Sequence, residues 1–118
     1  MGSLTTHVLD TATGRPAVDM LIDLWRLGPD GSRTLVKSVR SNCDGRTDEA
    51  LLAGEAFQRG SYELMFHVGD YLQQLGSATT APPFFDLVPV RFRIPADGDH
   101  YHVPLLLSPW SYTTYRGS

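Results

Sequence analysis

Four histidines, His7, His67, His100 and His102, are the residues here best suited to moving protons, because imidazole is the side chain whose ordinary pKa lies near neutral pH. His100 and His102 are two apart, so on a continuous strand both rings project from one face. That spacing also suits zinc if further ligands arrive from elsewhere. No cysteine pair or His-Glu-x-x-His pattern accompanies it, and His100 fits equally in the turn before the strand. The expectation is therefore no metal and no cofactor. His67 reads as a hydrogen-bonded sheet histidine, and His7, opposite in parity to Leu4, Thr6 and Val8, faces away from the core packing. Taken alone, Arg46 after Asp44-Gly45 is a solvated turn residue, and Tyr115-Arg116-Gly117-Ser118 a frayed tail.

The elements that must hold these residues announce themselves by period two, the alternation of a half-buried strand. Tyr62, Leu64, Phe66 and Val68 share one parity, and Val88, Val90, Phe92 and Ile94 another such face. Tyr101, Val103, Leu105 and Leu107 form a third, which points His102 away from the main core. Shorter strand-like runs cover Thr5 to Leu9, Met20 to Leu27 and Leu35 to Val39, with Pro29-Asp30-Gly31, Asp44-Gly45 and Asp97-Gly98 as turns. One helix is expected, from an Asp70 N-cap through Leu75 to a stop at Gly76. Seven or eight short strands at this length predict an all-β, two-sheet antiparallel sandwich.

The 118 residues make one domain, 1–118, long enough to bury a core without a disulfide or structural metal. Acidic residues outnumber basic ones 13 to 10 and no Lys/Arg cluster stands out, which argues against a nucleic-acid or polybasic membrane surface and leaves small molecules or proteins as partners. The single Cys43 excludes an internal disulfide and favours a reducing compartment. No stretch reaches the ~18 apolar residues of a membrane span, and the start lacks the features of a secretory signal, so a soluble, cytoplasmic protein is expected.

Leu4 through Ala17, opening Leu-Thr-Thr-His-Val-Leu-Asp, resembles the N-terminal signature of the transthyretin-like family. Tyr101-His102-Val103-Pro104-Leu105-Leu106-Leu107-Ser108-Pro109, followed by Tyr115-Arg116-Gly117-Ser118, is similar to its C-terminal signature. Asn42 to Arg46, ending Asp-Gly-Arg, and Phe66-His67-Val68-Gly69-Asp70-Tyr71 match in order, so the resemblance spans essentially the whole chain. Trp110 stands where a Tyr or Phe is expected, and Thr47 where a Cys is frequent. The resemblance implies a β-sandwich of two four-stranded sheets with one short helix, assembled as a homotetramer with sites in a channel where dimers meet. Within the family the terminal Tyr-Arg-Gly-Ser marks the hydrolases of 5-hydroxyisourate rather than the hormone carriers. It carries over His7, Arg46 and His102 as catalytic residues, and His7, Arg46, Tyr115, Arg116, Gly117 and Ser118 as substrate-binding ones. Assembly has a physical hint as well: Leu105, Leu106 and Leu107 cannot all face one core, so Leu106 is left outward for another subunit to cover.

Overall fold

Alternation in the sequence does become strand, but two of the runs break midway, and the breaks decide where the polar side chains gather. The computed structural model describes residues 2–76, 80–95 and 99–117. Along the chain the strands are β1 (Ser3–Thr5), β2 (Val8–Asp10), β3 (Arg15–Pro16), β4 (Leu21–Leu27), β5 (Arg33–Arg40), β6 (Leu52–Ala53) and β7 (Gly60–His67). After a helix, α1 (Val68–Leu75), come β8 (Leu87–Ile94), β9 (His100–His102), β10 (Leu105–Leu107) and β11 (Tyr112–Thr114).

One layer is an unbroken antiparallel sheet in the order β5-β4-β7-β8. Its inward face carries Ile22, Leu24, Tyr62, Leu64, Phe66, Val88 and Ile94, all essentially without solvent contact. Each such aliphatic or Phe side chain is worth about 1.5–3 kcal/mol relative to exposure. The second layer supplies Leu4, Val8, Tyr101, Val103, Leu105 and Leu107 to the same core. It differs from the expected single four-stranded sheet: it consists of a three-stranded piece, β6-β1-β9, and a four-stranded piece, β11-β10-β2-β3. It is not purely antiparallel either, since β1 runs parallel to β9 and β2 parallel to β10. The predicted strand from Thr5 to Leu9 is interrupted at Thr6-His7, and the run from Tyr101 to Leu107 at Val103-Pro104. Leu106, facing away from Leu105 and Leu107, is half-buried within the single chain.

On the outer face of the unbroken sheet, Glu63 is almost fully buried between the guanidiniums of Arg33 and Arg91, at 2.8 and 2.7 Å. His67 Nε2–H donates to the Asp23 carboxylate at 2.8 Å on that same face, as a sheet histidine should. The helix begins at Val68, two residues before the expected start, and Asp70 lies within its first turn instead of capping it. The cause is tertiary: the Gly69 N–H donates to the Asp86 carbonyl at 2.9 Å, pinning the chain where β8 approaches. The stop at Gly76, with φ 68°, is where the sequence put it. The Asp97-Gly98 turn lies outside the described residues.

Asp10, at the end of β2, is buried and fully partnered. One carboxylate oxygen accepts the N–H groups of Ala12 and Thr13, and the other accepts the Tyr71 hydroxyl at 2.9 Å. Burial and the neighbouring Asp10 push the Tyr71 phenol well above its ordinary pKa, so it stays a donor. This bond ties α1 to the strand that follows His7. Tyr71→Phe leaves a buried carboxylate oxygen without its partner and should cost about 1–3 kcal/mol, read as a lower urea midpoint at unchanged slope. An unchanged midpoint would show that the bond holds nothing.

Candidate active site

The break in the second layer is a local change of neighbours. The parallel ladder between the two central strands runs straight through it, with Val103 N–H donating to the Thr5 carbonyl at 3.0 Å and Leu105 N–H to the His7 carbonyl at 2.9 Å. What stops there is regular pairing with the flanking chain. On one side only Arg46 bridges to His7, and on the other only Gly117 bridges to His102. Period two then puts Thr5 and His7, and His100 and His102, on the face opposite the core. There they line an open cavity of about 560 Å³ with Arg46, Tyr115 and Gly117.

Two glycines make this approach possible. Gly45 has φ 73°, and its carbonyl oxygen accepts the Val8 N–H at 2.8 Å; a Cβ on it would sit 2.5 Å from the Val8 oxygen. Asn42 holds the same turn, its side-chain oxygen accepting the N–H groups of Asp44 and Arg46. Gly117 serves by its missing side chain and not by an unusual φ: a Cβ there would lie 2.9 Å from the His102 ring. Its N–H donates to the His102 carbonyl at 2.6 Å, so the tail is anchored through Gly117 and not frayed there.

The rings of His7 and His102 stack with centroids 4.8 Å apart, and His7 Nδ1 and His102 Nε2 share a hydrogen bond of 2.6 Å. Thr5 Oγ1 lies 2.8 Å from His102 Nδ1 and 3.4 Å from His100 Nε2. Burial, then the charge of Arg46, holds His7 below its ordinary pKa. Burial also lowers His102, reinforced by His7, Arg46 and His100. Both imidazoles are therefore neutral at neutral pH, each with one bare nitrogen and one N–H. Two neutral imidazoles in contact are suited to activating water, since a bare nitrogen can take its proton while an N–H stands ready to donate one. Arg46, exposed at the mouth, is the cation available to an oxygen that gains negative charge.

Of the expected site residues, His7, Arg46, His102, Tyr115 and Gly117 come together around this one cavity. Arg116 does not: its guanidinium lies over the Tyr101 ring at 4.4 Å and donates to the His100 carbonyl at 3.4 Å, which turns it away from the cavity. Ser118 lies outside the described residues. His67 is on the other sheet, bound to Asp23. Also in the lining are Thr5, Asp48 and Glu49, which the sequence reading passed over, and His100, which it noted but did not assign to the site. The two-residue spacing of Thr5 from His7 and of His100 from His102 was the signal available for Thr5 and His100.

A model of the HIUase/Transthyretin family matches residues 4–117. The chain belongs to that family. Among curated proteins it is 58% identical to a 5-hydroxyisourate hydrolase of Mesorhizobium japonicum, over 99% of this chain and 93% of that one. Among solved structures it is similar to an (S)-allantoin synthase, at 49% identity and a TM-score of 0.92, covering 99% of this chain but only 44% of that longer one. It is also similar to the 5-hydroxyisourate hydrolase of Klebsiella pneumoniae, at 30% identity and a TM-score of 0.82 with both chains covered in full. The HIUase/Transthyretin fold is thus shared well beyond close relatives, while the polar lining of the cavity is what a functional reading must explain.

The lowered imidazole pKa values set a sign for stability. In an unfolded chain His7 and His102 titrate near the ordinary 6.5. Below that pH the unfolded state binds protons the folded state refuses, so the folded state loses stability as pH falls from 6.5 toward the lowered values and keeps it above. Between about pH 7.5 and 5.5 the unfolding midpoint should fall further for the native sequence than for a His7→Gln, His102→Gln double variant. Equal falls would mean the pair is not held neutral by the fold.

Proposed function

We propose that this chain is a metal-independent cyclic amidohydrolase acting on 5-hydroxyisourate, opening its six-membered ring with water to give 2-oxo-4-hydroxy-4-carboxy-5-ureidoimidazoline in urate catabolism. The observation that carries the proposal is the contact between two neutral imidazoles beside Arg46, in a family whose near relatives bear the name of that hydrolase. Ring opening at an amide-type bond needs a base for water, a proton for the leaving nitrogen and a cation for the developing oxyanion. His7 and His102 share the first two tasks. Arg46 anchors an acceptor edge of the substrate and stabilises negative charge. Tyr115 orients the flat heterocycle from the rim, and Gly117 closes one side. Arg116 contributes through its seat on Tyr101, which fixes the path of the tail. No cofactor enters these steps.

The whole chain, 1–118, acts as one domain in a homotetramer whose sites lie where dimers meet. Support comes from the edges of β8 and β11, which pair with no further strand among the described residues and lie on the same side of the molecule, and from the exposed aromatics beside them. Phe84, Trp110 and Leu87 are about half exposed or more, an apolar surface that another copy would cover. A cytoplasmic setting is supported by the free thiol of Cys43.

The test is the ultraviolet decay of 5-hydroxyisourate freshly generated from urate, followed with and without catalytic amounts of the protein. The protein should accelerate the decay. His7→Ala, Arg46→Ala and His102→Ala should each lose much of that acceleration, on the scale of about 10²- to 10⁴-fold for the histidines, while remaining folded. His67→Ala should keep most of it. Unchanged decay with the native protein, together with stoichiometric binding of an aromatic ligand, would replace the hydrolase by a carrier.

A further inference from the structure

Hydrolysis of a ring amide at neutral pH makes a proton as well as a product. The water oxygen bonds to the carbonyl carbon as the C–N bond breaks, and one water hydrogen goes to the departing nitrogen. The other stays on the new carboxyl group, which ionises at neutral pH because its pKa is near the ordinary carboxylic range. A ureido nitrogen is too weak a base to retain that second proton. Each turnover therefore leaves one proton to be carried out of the site.

Direct escape from His102 is obstructed. The residue is 8% exposed, Gly117 packs against its ring, and its Nε2 is occupied by His7. Its Nδ1, however, opens onto a chain of polar atoms that runs along the cavity wall to the exposed His100. Thr5 Oγ1 is 2.8 Å away, His100 Nε2 lies 3.4 Å beyond that hydroxyl, and Ser3 Oγ is hydrogen-bonded to His100 Nδ1. His100 is exposed. The rings of His100 and His102 are nearly parallel, 16° apart with centroids at 6.5 Å, as period two on one strand requires.

A hydroxyl can accept one hydrogen bond while donating another, and a neutral imidazole does the same through its two nitrogens. The chain can therefore be polarised in two senses. In one, His7 Nδ1–H donates to His102 Nε2, His102 Nδ1–H to Thr5, and Thr5 O–H to His100 Nε2. In the other every donor and acceptor is exchanged. Passing one proton from the cavity to solvent converts the first into the second, with no heavy atom leaving its place.

We propose that Thr5 and His100 are the exit path for the proton released in each turnover, taking it from His102 Nδ1 and delivering it to bulk water or buffer. This rests on the hydrolase reading above. Neither residue touches a reacting atom; they are positioning residues that act through His102.

The experiment measures steady-state hydrolysis of freshly generated 5-hydroxyisourate by the intact protein, His100→Gln, Thr5→Val, Thr5→Ser and the His100→Gln, Thr5→Val double variant. Each is run in dilute buffer and again with added imidazole, against an enzyme-free blank at every buffer concentration. In dilute buffer His100→Gln should lose about tenfold in kcat, less than loss of a reacting acid or base entails, with KM unchanged. Added imidazole should restore it by taking the proton from Thr5 directly, and should leave the native rate unaffected. Thr5→Val should fall similarly, Thr5→Ser should stay near native, and the double variant should be no slower than the worse single one. Native kcat for His100→Gln in dilute buffer, a loss that appears in KM, or a loss that imidazole does not repair would overturn the proposal. A native protein that fails to accelerate the decay at all is a separate outcome: it removes the hydrolase reading and the exit path with it.

Discussion

Everything functional in this molecule depends on one feature of the second β-layer: its two central strands keep their register while losing their regular neighbours. Leu4 opposes Tyr101 on one side of the break and Val8 opposes Leu105 on the other, the same offset in both. Because the central pair stays in step, the core-facing set from Leu4 to Leu107 is undisturbed and the sandwich closes normally. Because the flanking strands are absent at that level, single residues reach in from each side, Arg46 toward His7 and Gly117 toward His102. A regular four-stranded layer would fill the place with paired backbone and side chains. The interrupted one leaves a cavity whose floor is a pair of imidazoles.

The chemistry of that floor follows from two competing effects on the histidines. Hydrogen bonding to each other would tolerate a shared charge, but burial and the nearby guanidinium both oppose protonation. The second influence wins, and the pair stays neutral. Neutrality matters because an imidazolium cannot accept a proton from water, while two neutral rings in contact offer a bare nitrogen and an N–H at the same time. Arg46 thus has two effects from one location: it depresses the imidazoles, and in the proposed reaction it presents a cation to developing charge.

Much of this was legible in the sequence, and the parts that were not have physical reasons. The unbroken sheet is written in the alternation of Tyr62 to Phe66 and Val88 to Ile94, and the outward parity of His7 and His102 could be read the same way. The break could not, since Thr6-His7 looks like ordinary strand; only Pro104, which lacks an N–H to give to a ladder, hinted at it. Strand β11 has three exposed residues and no alternation to betray it. The helix start was misplaced because Asp70 is a good cap locally, whereas packing of Gly69 on Asp86 decides the matter from another part of the chain. His100 was read as sharing a face with His102, weighed as a metal ligand or a turn residue, and not carried into the site. The resemblance brought the tail to the site where periodicity was silent, and Tyr115 and Gly117 do line the cavity, while the Arg116 side chain stacks on Tyr101.

The central claim is that the fold holds His7 and His102 as a neutral, mutually hydrogen-bonded pair. Histidine side-chain nitrogen-15 NMR at neutral pH measures this directly, because a neutral ring gives one pyrrole-like and one pyridine-like nitrogen and an imidazolium gives two alike. The account predicts the unequal pattern for both residues, with a through-bond or exchange signature linking His7 Nδ1 to His102 Nε2. Two equivalent, protonated nitrogens on either ring would contradict it.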